Sequence, residues 1–399
     1  MIRHVDGGIT APAGFRAAGV HCGIKASALD LALLVADAPA SAAGLFTINR
    51  VQAAPVTISR EHLARSGGVA SAVVVNSGCA NACTGPPGLD AARAMAAEAA
   101  AALGCAPERI LVASTGVIGV QLDREKITRG IGAAAARLSR DGHTDAARAI
   151  MTTDPFPKAC AVEIETPTGP FRVGGMAKGS GMIEPNLATM LGFLTTDARV
   201  EPARLRQALA TAADQSFNAI TVDGECSTND TVFALASGAA GVTIDDESYP
   251  ALVEGLVAVG RELAVAIVRG GEGATKLVEV RVTGAATGDE ARRAARTIAN
   301  SPLVKTAVHG GDPNWGRLVA AAGRAGVELD LARAAVRIGP VELFRDGIPY
   351  DDRAPEAAAC LRGTEIVIQV HLGAGDQTAT MWTCDLSAEY VRINAEYRT

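Results

Sequence analysis

Aromatic side chains are scarce in this 399-residue chain, at 4% of the total, so its core must be packed with small aliphatic groups. No apolar run approaches the ~20 residues that a membrane span needs, and the first residues, MIRHVDGGITAPAGFRAAG, lack the apolar stretch of a signal peptide. Positive charge is also in deficit. A formal net charge of −6 with no Lys/Arg run excludes an electrostatic nucleic-acid face. Paired cysteine spacing is missing too. Of the eight cysteines (Cys22, Cys79, Cys83, Cys105, Cys160, Cys226, Cys360 and Cys384) only Cys79 and Cys83 are close, and no second pair completes a zinc site. Scattered thiols without a secretory signal point to structural cysteines in a reducing cytoplasm. No nucleophile elbow, H-E-x-x-H, P-loop or dinucleotide fingerprint occurs, and the six histidines are isolated.

What is present is an α/β pattern. Residues 31–37, 70–77, 109–115, 190–198, 231–237, 276–284 and 365–373 read as strands. Residues 90–103, 123–138, 202–215, 249–268 and 288–300 read as helices. Several strand candidates adjoin other strands, so simple βαβ winding fits only in part. The glycine-rich tract Gly174–Gly181 reads as a loop between two halves.

That tract leads into IEPNLATMLGF, in which Ala188-Thr189 is a small–hydroxyl pair where loop gives way to strand. An internal threonine hydroxyl is a poor nucleophile. A threonine at a chain terminus is a better one, because its own α-amine, with an ordinary pKa of about 7.7–8.0, serves as the base. Thr189 can acquire that amine only if the Ala188–Thr189 bond breaks, in principle by attack of the same hydroxyl on the preceding carbonyl. By pattern alone, a threonine at a strand start is more often structural.

KGSGMIEPNLATML resembles the autoprocessing site of the ornithine acetyltransferase (glutamate N-acetyltransferase) family. The likeness runs through FRAAGVHCGIK, LFTINRVQAAPV, VVNSGCANACTG, ASTGVIG, IMTTDPFPK, SFNAITVDGECSTNDT, KTAVHGGDPNWGR and CDLSAEYVRINAEYRT. It implies mixed sheets sandwiched between helical layers, an N-terminal-nucleophile type of fold. It also implies cleavage into an α chain (1–188) and a β chain (189–399) that stay together, two of each forming a heterotetramer. The implied reaction is ping-pong: Thr189 takes acetyl from N-acetylornithine and passes it to glutamate. Some members also take acetyl from acetyl-CoA, a co-substrate; no resident cofactor or metal, nucleic acid or membrane partner is implied.

By the same resemblance Thr115 and Gly116 form the oxyanion hole, Ser114 being a lesser candidate. Thr152, Lys178, Thr189, Glu272, Asn394 and Thr399 contact substrate. Lys178 suits a carboxylate and Glu272 an ammonium group. Cys79, the Glu225-Cys226 pair and the start of HGGDPNWGR depart from the family's commoner residues. The competing readings are an amidase or aminopeptidase with the same threonine, which gives the acyl group to water, and a protein that never cleaves.

Overall fold

The computed structural model describes residues 2–184 and 190–396. In the segment LALLVA, successive side chains enter opposite cores. Leu31, Leu33 and Val35 pack with Ala72, Val74, Ile110 and Val112, while Ala32, Leu34 and Ala36 pack with Val73, Val75, Leu111 and Ala113. Strands covered on both faces gain from apolar residues at every position, which is why these runs show no polar alternation.

They belong to a mixed sheet of nine strands among the described residues. In chain order these are β1 (Ile2–His4), β2 (Phe15–Val20), β3 (Leu31–Phe46), β4 (Val69–Cys79), β5 (Ile110–Val117), β6 (Lys158–Ile164), β7 (Phe171–Lys178), β8 (Leu191–Thr196) and β9 (Thr231–Ala236). The spatial order is β1-β6-β7-β8-β9-β3-β4-β5, with β2 also on β3. The pairs β4–β5 and β8–β9 are parallel and the others antiparallel. The helices Gly85–Leu103 and Arg124–Ala135 cover one face, and His143–Ala149 packs on the other.

A second sheet comprises β10 (Leu277–Ala285), β11 (Ala335–Ile338), β12 (Val341–Arg345), β13 (Ile348–Pro349), β14 (Glu365–His371) and β15 (Gln377–Cys384). Here the alternation is visible. Val278, Val280 and Val282 join Ile366, Ile368 and Val370 in a core with Ala291, Ala294, Ala295 and Ile298 of the helix Gly288–Ala299. That helix is capped by Thr287, whose side chain accepts from the Glu290 N–H. Asp123 and Glu201 cap the helices Arg124–Ala135 and Pro202–Asp214 in the same way.

The chain divides into two compact units. The first holds the described residues up to Asn218 and Glu225–Ile267, and the second holds Ala219–Gly224 and the described residues from Val268 to Glu396. The expected boundary at 188/189 falls inside the first unit. On either side of it, β7 and β8 pair antiparallel from Val173↔Thr196 to Lys178↔Leu191.

The loop expected at Gly174–Gly181 is corrected over its first half, because Gly174 to Lys178 lie in β7, inside the sheet. The glycines are there for close approach. A Cβ on Gly174 would sit 2.1 Å from the Gly8 carbonyl oxygen, and one on Gly175 would sit 2.8 Å from Leu263 and Val259. No described helix is long and apolar enough to cross a membrane.

Candidate active site

The parallel strands β4 and β5 end at an irregularity where Cys79 faces both Thr115 and Val117. Gly116 has φ +125°, and a Cβ there would lie 2.4 Å from the Gly78 carbonyl carbon, so the two backbones can meet this closely only at glycine. Buried amides hold the turn. The Ser114 hydroxyl donates to Asn76 Oδ1 at 2.6 Å, and Asn76 Nδ2 donates to the Cys79 carbonyl at 2.8 Å. Asn229 Nδ2 donates to the carbonyls of Ala80 and Ser114, at 2.6 and 2.8 Å. The Ser114 hydroxyl is therefore engaged in structure, whereas Thr115 stands at the edge of this network.

Lys178 closes β7 and is buried, with its Nζ 3.3 Å from Thr115 Oγ1. An ammonium group only donates, so Thr115 accepts through its oxygen and its own O–H remains free to point at another acceptor. A developing oxyanion is such an acceptor. Among the described residues no carboxylate oxygen lies within 4.0 Å of Lys178 Nζ.

The residue after Lys178 is tied to a buried carboxylate. Asp154 Oδ1 accepts from the Gly179 N–H at 2.7 Å and from Lys158 Nζ at 2.6 Å, and Oδ2 accepts from the Thr152 N–H at 3.0 Å. Asp154 thus joins the segments bearing Thr152 and Lys178. Burial pushes its pKa up, but Lys178, Lys158 and the bonds from Lys158 and Gly179 outweigh it and bring the value down to about 2. Burial lowers the pKa of Lys158, against the pull of Asp154. Asp230, just before β9, is wholly buried. Burial raises its pKa well above the ordinary value, and among the described residues its Oδ2 has no hydrogen-bond partner.

The second unit carries the other described candidates. Glu272 is buried and its Oε2 accepts from Asn394 Nδ2 at 2.8 Å. Asn394 lies on the helix Ala388–Glu396, which is anchored where Ser387 Oγ donates to the Gly273 carbonyl at 2.6 Å. Ala188, Thr189 and Thr399 lie outside the described residues. The eight cysteines are free, and the Cys79 thiol, its pKa raised by burial, donates to the Val120 carbonyl.

Asp154, Lys158, Asn76, Asn229 and Asp230 are absent from the sequence-based candidates. The only local trace of the first two is their i,i+4 spacing in TDPFPK. Acid titration should expose Asp154. A carboxyl held at about 2 against an ordinary 3.8 contributes stability in full above about pH 4 and loses it as the pH falls through 2. That contribution is on the order of 2 kcal/mol. Glu342, held at about 2 mainly by the Arg345 and Arg337 hydrogen bonds against burial, acts in the same direction. Asp230, whose pKa burial raises, acts in the opposite direction and offsets only part of this loss. Urea midpoints should therefore fall between pH 4 and pH 2, and a flat profile would contradict this assignment.

Comparison with known proteins agrees with the resemblance seen in the sequence. The ArgJ family model matches residues 16–399. The arginine biosynthesis bifunctional protein ArgJ of Symbiobacterium thermophilum is 52% identical over 98% of this chain and 99% of its own length. Its counterpart in Thermosynechococcus vestitus is 49% identical over 100% of this chain and 99% of its own. A crystal structure of ornithine acetyltransferase complexed with ornithine, from Mycobacterium tuberculosis, is 45% identical, covering 47% of this chain and 100% of that chain, with a TM-score of 0.44.

Proposed function

The chain belongs to the ArgJ family and is an arginine-biosynthesis acyltransferase, and from that premise we propose that it transfers acetyl from N-acetylornithine to glutamate through acetyl-Thr189. In this reaction Thr189 Oγ, freed as an N-terminal residue by cleavage after Ala188, attacks the acetyl carbonyl while its α-amine takes the hydroxyl proton. The C–N bond breaks, the proton passes to the leaving amine, and ornithine departs. Glutamate's amine then attacks the ester, and the same steps run in reverse. Each half-reaction passes through one oxyanion, for which Thr115 and Gly116 are the donors. Acetyl-CoA is a second acetyl donor in the same scheme, as co-substrate.

The observation that supports this reading is the contact between Lys178 and Thr115, a buried cation beside the hydroxyl proposed as oxyanion donor. An amino-acid substrate presents its carboxylate one carbon from the acylated nitrogen, so one site must serve both groups. By the family resemblance Glu272, which accepts a hydrogen bond from Asn394, is assigned to the substrate's ammonium group. The β7–β8 pairing supports continued association, because strands on either side of the cut share one ladder. Two α and two β chains would then form the working assembly.

Purified protein should run as two pieces on a denaturing gel and, with no acetyl-CoA present, make N-acetylglutamate only when N-acetylornithine and glutamate are both supplied. One intact band of 40.6 kDa without transfer would overturn the reading. Acetate release that does not depend on glutamate would point instead to an amidase.

A further inference from the structure

Three lysines gather where β7 ends. Lys158 Nζ is bound to Asp154 at 2.6 Å, and both side chains are fully buried. Lys25 Nζ donates to the carbonyls of Leu29 and Met151, and it feels the charges of Asp30 and Asp154. Lys178 has the Thr115 hydroxyl as its hydrogen-bond partner. Asp230 also interacts electrostatically with Lys178, and burial raises its pKa. Among the described residues, Lys25 is thus taken up by carbonyls and Lys158 by Asp154, and Lys178 is left with no carboxylate oxygen within 4.0 Å.

The partner of Asp154 decides this distribution. Asp154 already receives the N–H of Gly179, one residue from Lys178, and it interacts electrostatically with Lys178 as well as with Lys158. A buried carboxylate deprived of one cation recruits another within reach, because its desolvation is otherwise uncompensated. Lys178, on a flexible four-carbon stem, is within reach.

We propose that Lys158 is a positioning residue for substrate selection: by neutralising Asp154 it leaves Lys178 free to pair with the α-carboxylate of an amino-acid substrate. Without Lys158, Asp154 takes the place of that carboxylate on Lys178. The inference rests on the amino-acid substrates proposed above, and it assigns the preference for a carboxylate-bearing ligand to a residue that does not touch the ligand.

Calorimetric titration of the full-length protein at pH 8 with ornithine and with 1,4-diaminobutane, the same diamine without the carboxylate, tests it. In Lys158→Met, ornithine affinity should fall about ten- to a hundredfold, the worth of one charge-assisted contact. Affinity for 1,4-diaminobutane should change by less than about threefold on the same scale. Lys178→Met should remove the same ornithine preference directly. If folded Lys158→Met keeps the wild-type preference, or loses both ligands equally, the role of Lys158 is refuted and the proposed function stands. Wild-type protein that binds no ornithine would instead overturn the substrate assignment on which the inference rests.

Discussion

Thr189→Ala should leave a single chain of 40.6 kDa on a denaturing gel and no measurable acetyl transfer. Both losses have one cause. In the proposed mechanism the hydroxyl that attacks the Ala188 carbonyl during processing is the hydroxyl that later attacks the acetyl group, and alanine provides neither. Removing the nucleophile from an acyl-transfer enzyme costs about 10⁶ in kcat, which places any residue of activity below ordinary detection. Thr189→Ser separates the two stages, since serine supplies a hydroxyl and, once cleaved, an α-amine. It should process and transfer at a reduced but measurable rate. A Thr189→Ala protein that still appears as two pieces would show that another group cuts the chain. One that still transfers acetyl would remove Thr189 from the mechanism altogether.

Thr115→Val should lower kcat about 10²- to 10³-fold while the chain remains folded. Valine has nearly the shape of threonine and lacks the hydroxyl, so packing at the end of β5 changes little while the oxyanion loses a donor. That donor acts when charge develops on the carbonyl oxygen, so kcat should fall much more than KM rises. Lys178 loses the oxygen that it now approaches at 3.3 Å but keeps its charge for a substrate carboxylate. Stopped-flow or quench measurements of acetyl-enzyme formation and of its discharge to glutamate should show both steps slowed, because each has its own oxyanion. A rise in KM with kcat unchanged would show instead that Thr115 binds the ground state.

Much of the architecture was legible in the chain. Doubly buried strands announce themselves as unbroken apolar runs, as at Leu31–Ala36 and Ile110–Ala113, and the helix Gly288–Ala299 announces itself by its Thr287 cap and its alanine stripe. Gly174 and Gly175 misled, because glycine marks both turns and places where backbones nearly touch. Only the neighbours, Gly8 at Gly174 and Leu263 with Val259 at Gly175, distinguish the two.

The sequence by itself determined the class of fold and the family, and through its resemblance to that family proposed Thr189, Thr115 and Gly116 as the reacting residues, because these are written in local periodicity and in contiguous motifs. The tertiary structure decided who partners whom. Thr115 and Lys178 stand 63 residues apart, Asp154 and Gly179 stand 25 apart, and Ser114 and Asn229 stand 115 apart. Hydrogen bonds across such separations depend on sheet order and on which groups are excluded from water, and neither leaves a periodic trace along the chain. The arrangement that leaves Lys178 without a carboxylate partner among the described residues is of that kind, and it exists only once Asp154 and Lys158 are buried against each other.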